Sequence, residues 1–207
     1  MEKFYDNLPG QKGPTCGACA TYYYLLKMDL EEKMLEKNDE KIYEKINEIY
    51  ANIKFKEAEG SHPNKIVEYL KDIVKDMGRD IDFNLYCLKT SDGIKDKVNK
   101  VESKWKSDII EAQIDNEPLK FKDIDKKLTD VLVPSVPSEK YGIGIYMPKG
   151  WIYENAESLV ALHYMLTKKN KEGKIQVIDS NSPKGGWKDL NEIDYDFSGL
   201  LIKTKIE

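Results

Sequence analysis

At 207 residues the chain is long enough for one domain with a sizeable core, and nothing in its composition requires two. It is 40% hydrophobic and 10% aromatic, which excludes a disordered chain, and Lys+Arg 33 against Asp+Glu 37 leave a net charge of −4, which argues against a general nucleic-acid binder. No apolar run approaches the roughly 18 residues of a membrane span, and Met1-Glu-Lys-Phe-Tyr-Asp lacks the basic and apolar regions of a signal peptide.

The expected location is therefore the cytoplasm as synthesised, with export by a specialised secretion system compatible. Three cysteines at irregular spacing make no disulfide framework. His62 and His163 are the only two histidines, so the search for a base is short.

In chain order, residues 1–15 read as irregular, with Pro9-Gly10 and Gly13-Pro14 marking turns. The apolar spacing predicts a helix from Cys16 or Gly17 to about Lys37, with Cys19, Tyr22, Tyr23, Leu26 and Leu30 on its inner face. A second helix, Glu40 to Ile53, follows from Ile42, Ile46, Ile49 and Ile53. Ser61 is the expected cap of a third, with Pro63 in its first turn, Ile66, Leu70, Ile73 and Met77 inward, and Gly78 as the stop. Residues 81–88 alternate like a strand. Ile94, Val98, Val101, Trp105 and Ile109 fit a further helix, and 123–132 a short one ended by Pro134 and Pro137. The last third reads as strands at 141–147, 159–167, 174–179 and 197–206. Helices first and an antiparallel sheet last make an α+β fold in one domain, 1–207, with a helical half to about 135 and a β half from about 136.

The chemistry begins at Gln11-Lys-Gly-Pro-Thr-Cys16-Gly-Ala-Cys19. A cysteine in the first turn of a helix sits where free N–H groups and the helix dipole favour a thiolate, the nucleophilic form. His163 and Asp179 fall on the two strands around Asn170-Lys-Glu-Gly173. A turn centred on Lys171 pairs 163 with 179 directly, roughly 5 Å apart between Cβ atoms. Cys16, His163 and Asp179 are then nucleophile, base and orienter, with Asn181 as a fallback orienter. Gln11 is the candidate oxyanion donor, alongside the Cys16 backbone N–H.

Gln11-x4-Cys16-Gly17, Leu162-His163-Tyr164 and Val177-Ile178-Asp179 together resemble the papain-like cysteine peptidase superfamily. Within it the chain is most similar to the bacterial bacteriocin-leader-processing (double-glycine) peptidases and their stand-alone relatives. Gly60-Ser-His-Pro-Asn-Lys-Ile-Val-Glu-Tyr-Leu is similar to the second helix of that branch. The resemblance implies a helical half carrying the cysteine, a β half carrying His and Asp, a peptide or protein substrate, and no cofactor or metal. It also implies an aromatic shield over the Asp–His pair, for which Trp187 is the candidate and ordinary packing the alternative. Residues 91–140 have no counterpart, and the Gln–Cys spacing is one residue shorter than in papain itself.

Two other functions stay open at this stage. The same triad runs deamidation or acyl transfer in secreted bacterial effectors, a reading that brings an inhibitor or immunity-type protein as partner. A papain-like fold without activity would be a binding module. Cys16-Gly-Ala-Cys19 is a C-x-x-C, but a redox dithiol wants a strand before it, and Cys19 is expected to pack under the nucleophile. A zinc site would need a fourth ligand beside Cys16, Cys19 and Cys87. His62 is expected at the surface or as a cap.

Overall fold

The computed structural model describes residues 10–28, 39–54, 59–87, 113–114, 141–149, 163–183 and 186–204. Helix α1 spans Cys16–Lys27, and every residue from Cys16 to Leu26 is buried. A single buried face was expected. The helix instead carries small or apolar side chains around its whole circumference, which suits a central helix. Helices α2 (Asp39–Ile53) and α3 (Pro63–Asp76) pack against it, and the sheet covers it from another side. It also ends ten residues before the expected Lys37, where Met28 N bonds Tyr24 O and Leu25 O; residues 29–38 lie outside the described residues.

The isoleucine spacing of α2 works as read: Ile42, Ile46, Ile49 and Ile53 are all buried. In α3 the cap is His62 and not Ser61. The Nδ1 of His62 accepts from Asn64 N at 3.2 Å, Pro63 fills the first helical position, and the ring is buried. Ser61 serves packing instead, against Gly17. Ile66, Leu70 and Val74 form the buried stripe, with Ile73 and Met77 partly buried at its edge.

Among the described residues seven strands form one sheet: β1 (Phe83–Cys87), β2 (Gln113–Ile114), β3 (Tyr141–Pro148), β4 (His163–Lys169), β5 (Ile175–Ile178), β6 (Lys188–Asp189) and β7 (Tyr195–Thr204). Their order is β2-β1-β7-β3-β4-β5-β6, antiparallel except for the short β1–β2 pair at one edge. The fold is α+β, with three N-terminal helices among the described residues and a C-terminal sheet. Strand β1 precedes the expected boundary near residue 135 yet pairs with β7, so the two halves share the sheet. The helices expected at 94–109 and 123–132, and the start of the strand expected at 159–162, lie outside the described residues.

Strand alternation divides the side chains between two faces. Ile143, Ile145, Tyr164, Leu166, Ile178, Leu200 and Ile202 join the helices in the main core. Tyr146, Met165, Ile175, Val177, Phe197 and Leu201 build a smaller cluster on the other face. Gly144 makes that second cluster possible, because a Cβ there would come within 2.5 Å of the Tyr146 ring and 2.6 Å of Thr167 Oγ1. The Tyr146 hydroxyl and Thr167 Oγ1 are bonded at 2.8 Å across the space it leaves. No helix among the described residues is long and apolar enough to cross a membrane.

Gly17 is the tightest point between α1 and the segment leading into α3. A Cβ on it would run into Oγ and Cβ of Ser61, which is itself buried. Gly17→Ala is therefore expected to destabilise the fold by about 1–3 kcal/mol, the range for overpacking. Thermal melts check this, and in a Ser61→Gly background the same change is expected to cost less.

Candidate active site

Helix α1 lies along β4 and runs in the same direction. At its far end Lys27 Nζ sits 5.7 Å from the ring of Tyr141, which is paired with Lys168 near the end of β4. Twelve helical residues and a seven-residue strand both measure roughly 20 Å. The first residues of the two elements, Cys16 and His163, therefore come together at the other end.

The β4–β5 hairpin brings in the aspartate, though not by the register read from the turn. Leu166 pairs with Ile178 and Lys169 with Ile175, so the turn is centred on Glu172 and not on Lys171. The physical reason is a three-residue loop. Asn170 N bonds Lys174 O at 2.8 Å, Asn170 Oδ1 accepts from the N–H groups of Glu172 and Lys174, and Gly173 takes a left-handed φ of 83°. His163 and Asp179 are thus not directly opposite. The error is two residues of register, and two residues preserve the face. Both side chains keep the parity of Val177 and Met165 and meet diagonally.

Asp179 has already left the ladder. Its Oδ1 accepts from Asn181 N at 2.8 Å and lies 2.6 Å from His163 Nε2. With Nε2 taken, Nδ1 is the ring nitrogen that serves the Cys16 thiol, whose hydrogen bond and charge both act on His163. Cys16, His163 and Asp179 are 7%, 4% and 7% exposed.

Burial by itself lowers the pKa of the imidazole. The hydrogen bonds to Asp179 and Cys16, and the charges of both, outweigh it and push His163 up to about 9. For Asp179 burial acts upward, but the bond and charge of His163, the Asn181 N–H and the charge of Lys188 hold it below its ordinary value. The signs of the linkage follow. Stability from His163 is full below pH 6.5 and is lost as pH rises through about 9. Stability from Asp179 is present above pH 3.8 and is lost as pH falls below it.

Gln11 joins the site from the loop before α1. Its backbone N–H donates to Ser180 O at 2.8 Å, and its Oε1 accepts from Ser180 Oγ at 2.7 Å. Its Nε2 donates to Gly13 O at 3.3 Å. The loop is also held by Tyr43 of α2, whose hydroxyl donates to Gly10 O at 3.0 Å, and by Thr15 Oγ1, which donates to Lys12 O at 3.0 Å.

Trp187 does not cover the Asp–His pair. It stacks on Tyr141 at 6.0 Å and under the Lys168 ammonium at 4.0 Å, at the opposite end of β4. The aromatic on the histidine is Tyr195, the first residue of β7, with ring centroids 4.9 Å apart and planes 28° from parallel. Its hydroxyl accepts from Asn181 Nδ2 at 3.4 Å, so Asn181 supports the pair and does not replace Asp179. Tyr195 and Ser180 were missed by sequence reasoning. Ser180 had one available signal, its place directly after Asp179; Tyr195 had none beyond an aromatic opening a strand.

Cys19 is fully buried one helical turn beyond Cys16, 3.9 Å from Thr15 Oγ1, and burial pushes its thiol up to about 12. Both Cys16 and Cys19 are free thiols. Among the described residues no three His, Cys, Asp or Glu side chains converge as a metal site. The His62 ring belongs to the helix cap. Comparison with protein-family models, with curated proteins and with solved structures finds no match to this chain.

Proposed function

We propose that the chain is a cysteine peptidase that hydrolyses a peptide or protein amide bond through Cys16, His163 and Asp179. One observation carries the reading. A cysteine at a helix start meets a histidine and a carboxylate carried by one distant hairpin, and the three form a buried hydrogen-bonded line. The resemblance to papain-like peptidases adds the substrate class.

In this mechanism the Cys16 sulfur adds to the scissile carbonyl while the imidazolium of His163 stays paired with it. The oxyanion is met by the backbone N–H of Cys16 and by the Gln11 amide. His163 then protonates the leaving amine from Nδ1, and the same nitrogen later takes a proton from the water that cleaves the thioester. Asp179 holds Nε2–H throughout, which fixes the tautomer and the ring plane. Tyr195 covers one face of the ring, so substrate approaches from the other.

Cys16→Ala is expected to abolish turnover, a loss of roughly 10⁴-fold or more. The measurement is mass analysis of products from a peptide-library digest, which also separates backbone cleavage from side-chain deamidation. A variant with full activity would end the reading. Iodoacetamide is expected to label Cys16 selectively, and labelling at pH 7 is expected to slow in His163→Ala.

The pH profile of kcat/KM is expected to fall on its alkaline side near pH 9, where His163 loses the proton it must donate. In Asp179→Asn the carboxylate charge is gone and the imidazolium is less stabilised. The alkaline limb should then move toward neutral pH, with a rate loss on the order of 10²-fold or more. A limb that stays in place would show that Asp179 does not tune His163.

A further inference from the structure

We propose that Ser180 is a positioning residue for the oxyanion donor, so that the adjacent pair Asp179-Ser180 holds both the base and Gln11. The inference rests on the peptidase reading and assigns a role to a residue outside the triad. Ser180 is 1% exposed and makes two bonds to the same partner, a residue 169 positions earlier. Its carbonyl fixes the Gln11 backbone at 2.8 Å, and its hydroxyl fixes the Gln11 amide oxygen at 2.7 Å.

The second bond decides which way the amide faces. An amide has an accepting end and a donating end, and only the donating end stabilises an oxyanion. With Oε1 engaged by Ser180, the NH₂ group is turned away from Ser180. One of its hydrogens is directed at Gly13 O over a long 3.3 Å, and the other is available to a substrate oxygen. Without the hydroxyl, nothing among the described bonds distinguishes the two amide orientations except that long contact. The same residue pair also links the two functions. Asp179 anchors the imidazole and Ser180, one peptide later, anchors the donor, so the distance between them is set by one stretch of backbone.

The test compares two reactions of Cys16 in the full chain. Acylation by p-nitrophenyl acetate, followed as a single-turnover release of p-nitrophenolate, develops an oxyanion. Alkylation by iodoacetamide displaces iodide at a saturated carbon and develops none. Ser180→Ala is expected to slow acylation on the order of tenfold, part of the 10²–10³-fold carried by a complete oxyanion donor, and to leave alkylation unchanged. In a Gln11→Ala background the same change is expected to add nothing.

Ser180→Cys keeps the buried volume with a far weaker donor, and asks the same question if Ser180→Ala does not fold. Equal acylation in wild type and variant would overturn the role. So would a parallel loss of alkylation, which would mean that Ser180 acts on the Cys16–His163 pair, or an undiminished effect without Gln11. A wild-type Cys16 that alkylates but never acylates would overturn the peptidase reading itself, and this role with it.

Discussion

A carboxylate and an imidazole 2.6 Å apart, each less than a tenth exposed, set the terms for the rest of the structure. Removing both from water is costly, and their attraction offsets that cost only when their remaining polar atoms are satisfied. The fold meets the requirement locally. Asn181 N donates to the same carboxylate oxygen, and the charge of Lys188 acts on it as well. The Cys16 thiol takes the other side of the ring, and Tyr195 covers a face of it. The hairpin and the residues just after it supply the pair, Asn181 and Lys188, while Cys16 comes from the helix and Tyr195 from the last strand.

What brings Cys16 to the pair is the burial of α1. A helix that faces protein on every side has little freedom to slide or rotate, because interiors are packed at close to crystal density. Gly17 against Ser61 fixes its first turn, the Tyr164 hydroxyl on Ser61 O at 2.7 Å ties that contact to β4, and Lys27 at Tyr141 marks its far end. Cys16 is thus located by the same contacts that make the core. This joins the stability of the core and the placement of the candidate site at the first residue of one helix.

Local patterns were the most legible part of the sequence. The four isoleucines of α2 have one consistent period and one buried face, and Cys16 begins its helix as read. What failed depended on tertiary neighbours. No sequence window says that α1 is covered on all sides, since that depends on α2, α3 and the sheet arriving together. Ser61 is a better cap than histidine by preference, but its side chain was needed at the Gly17 contact, so His62 took the position. Trp187 and Tyr195 could be told apart only by strand order, which puts Tyr195 at the histidine end of the sheet and Trp187 at the other. The hairpin register was misplaced by two residues because Asn170 and Gly173 centre a three-residue turn on Glu172, one residue later than Lys171. The contact between His163 and Asp179 survived the error, since an even shift keeps every side chain on its face.

That survival bears on why the three residues are together. Buried ion pairs are weak evidence for stability, because apolar side chains of similar volume often hold a fold as well or better. Met165, Val177 and Phe197 fill the same face of the sheet with ordinary apolar packing. A stability account would extend that cluster through positions 163 and 179. The chain instead places an imidazole and a carboxylate there, raises one pKa and lowers the other, and sets a thiol against the pair. It also turns an amide toward the same end of the sheet by two bonds from the residue after the carboxylate. Polar groups arranged at a cost to packing, with their titrations pushed apart, are the pattern expected of a candidate functional site rather than of a core optimised for packing alone.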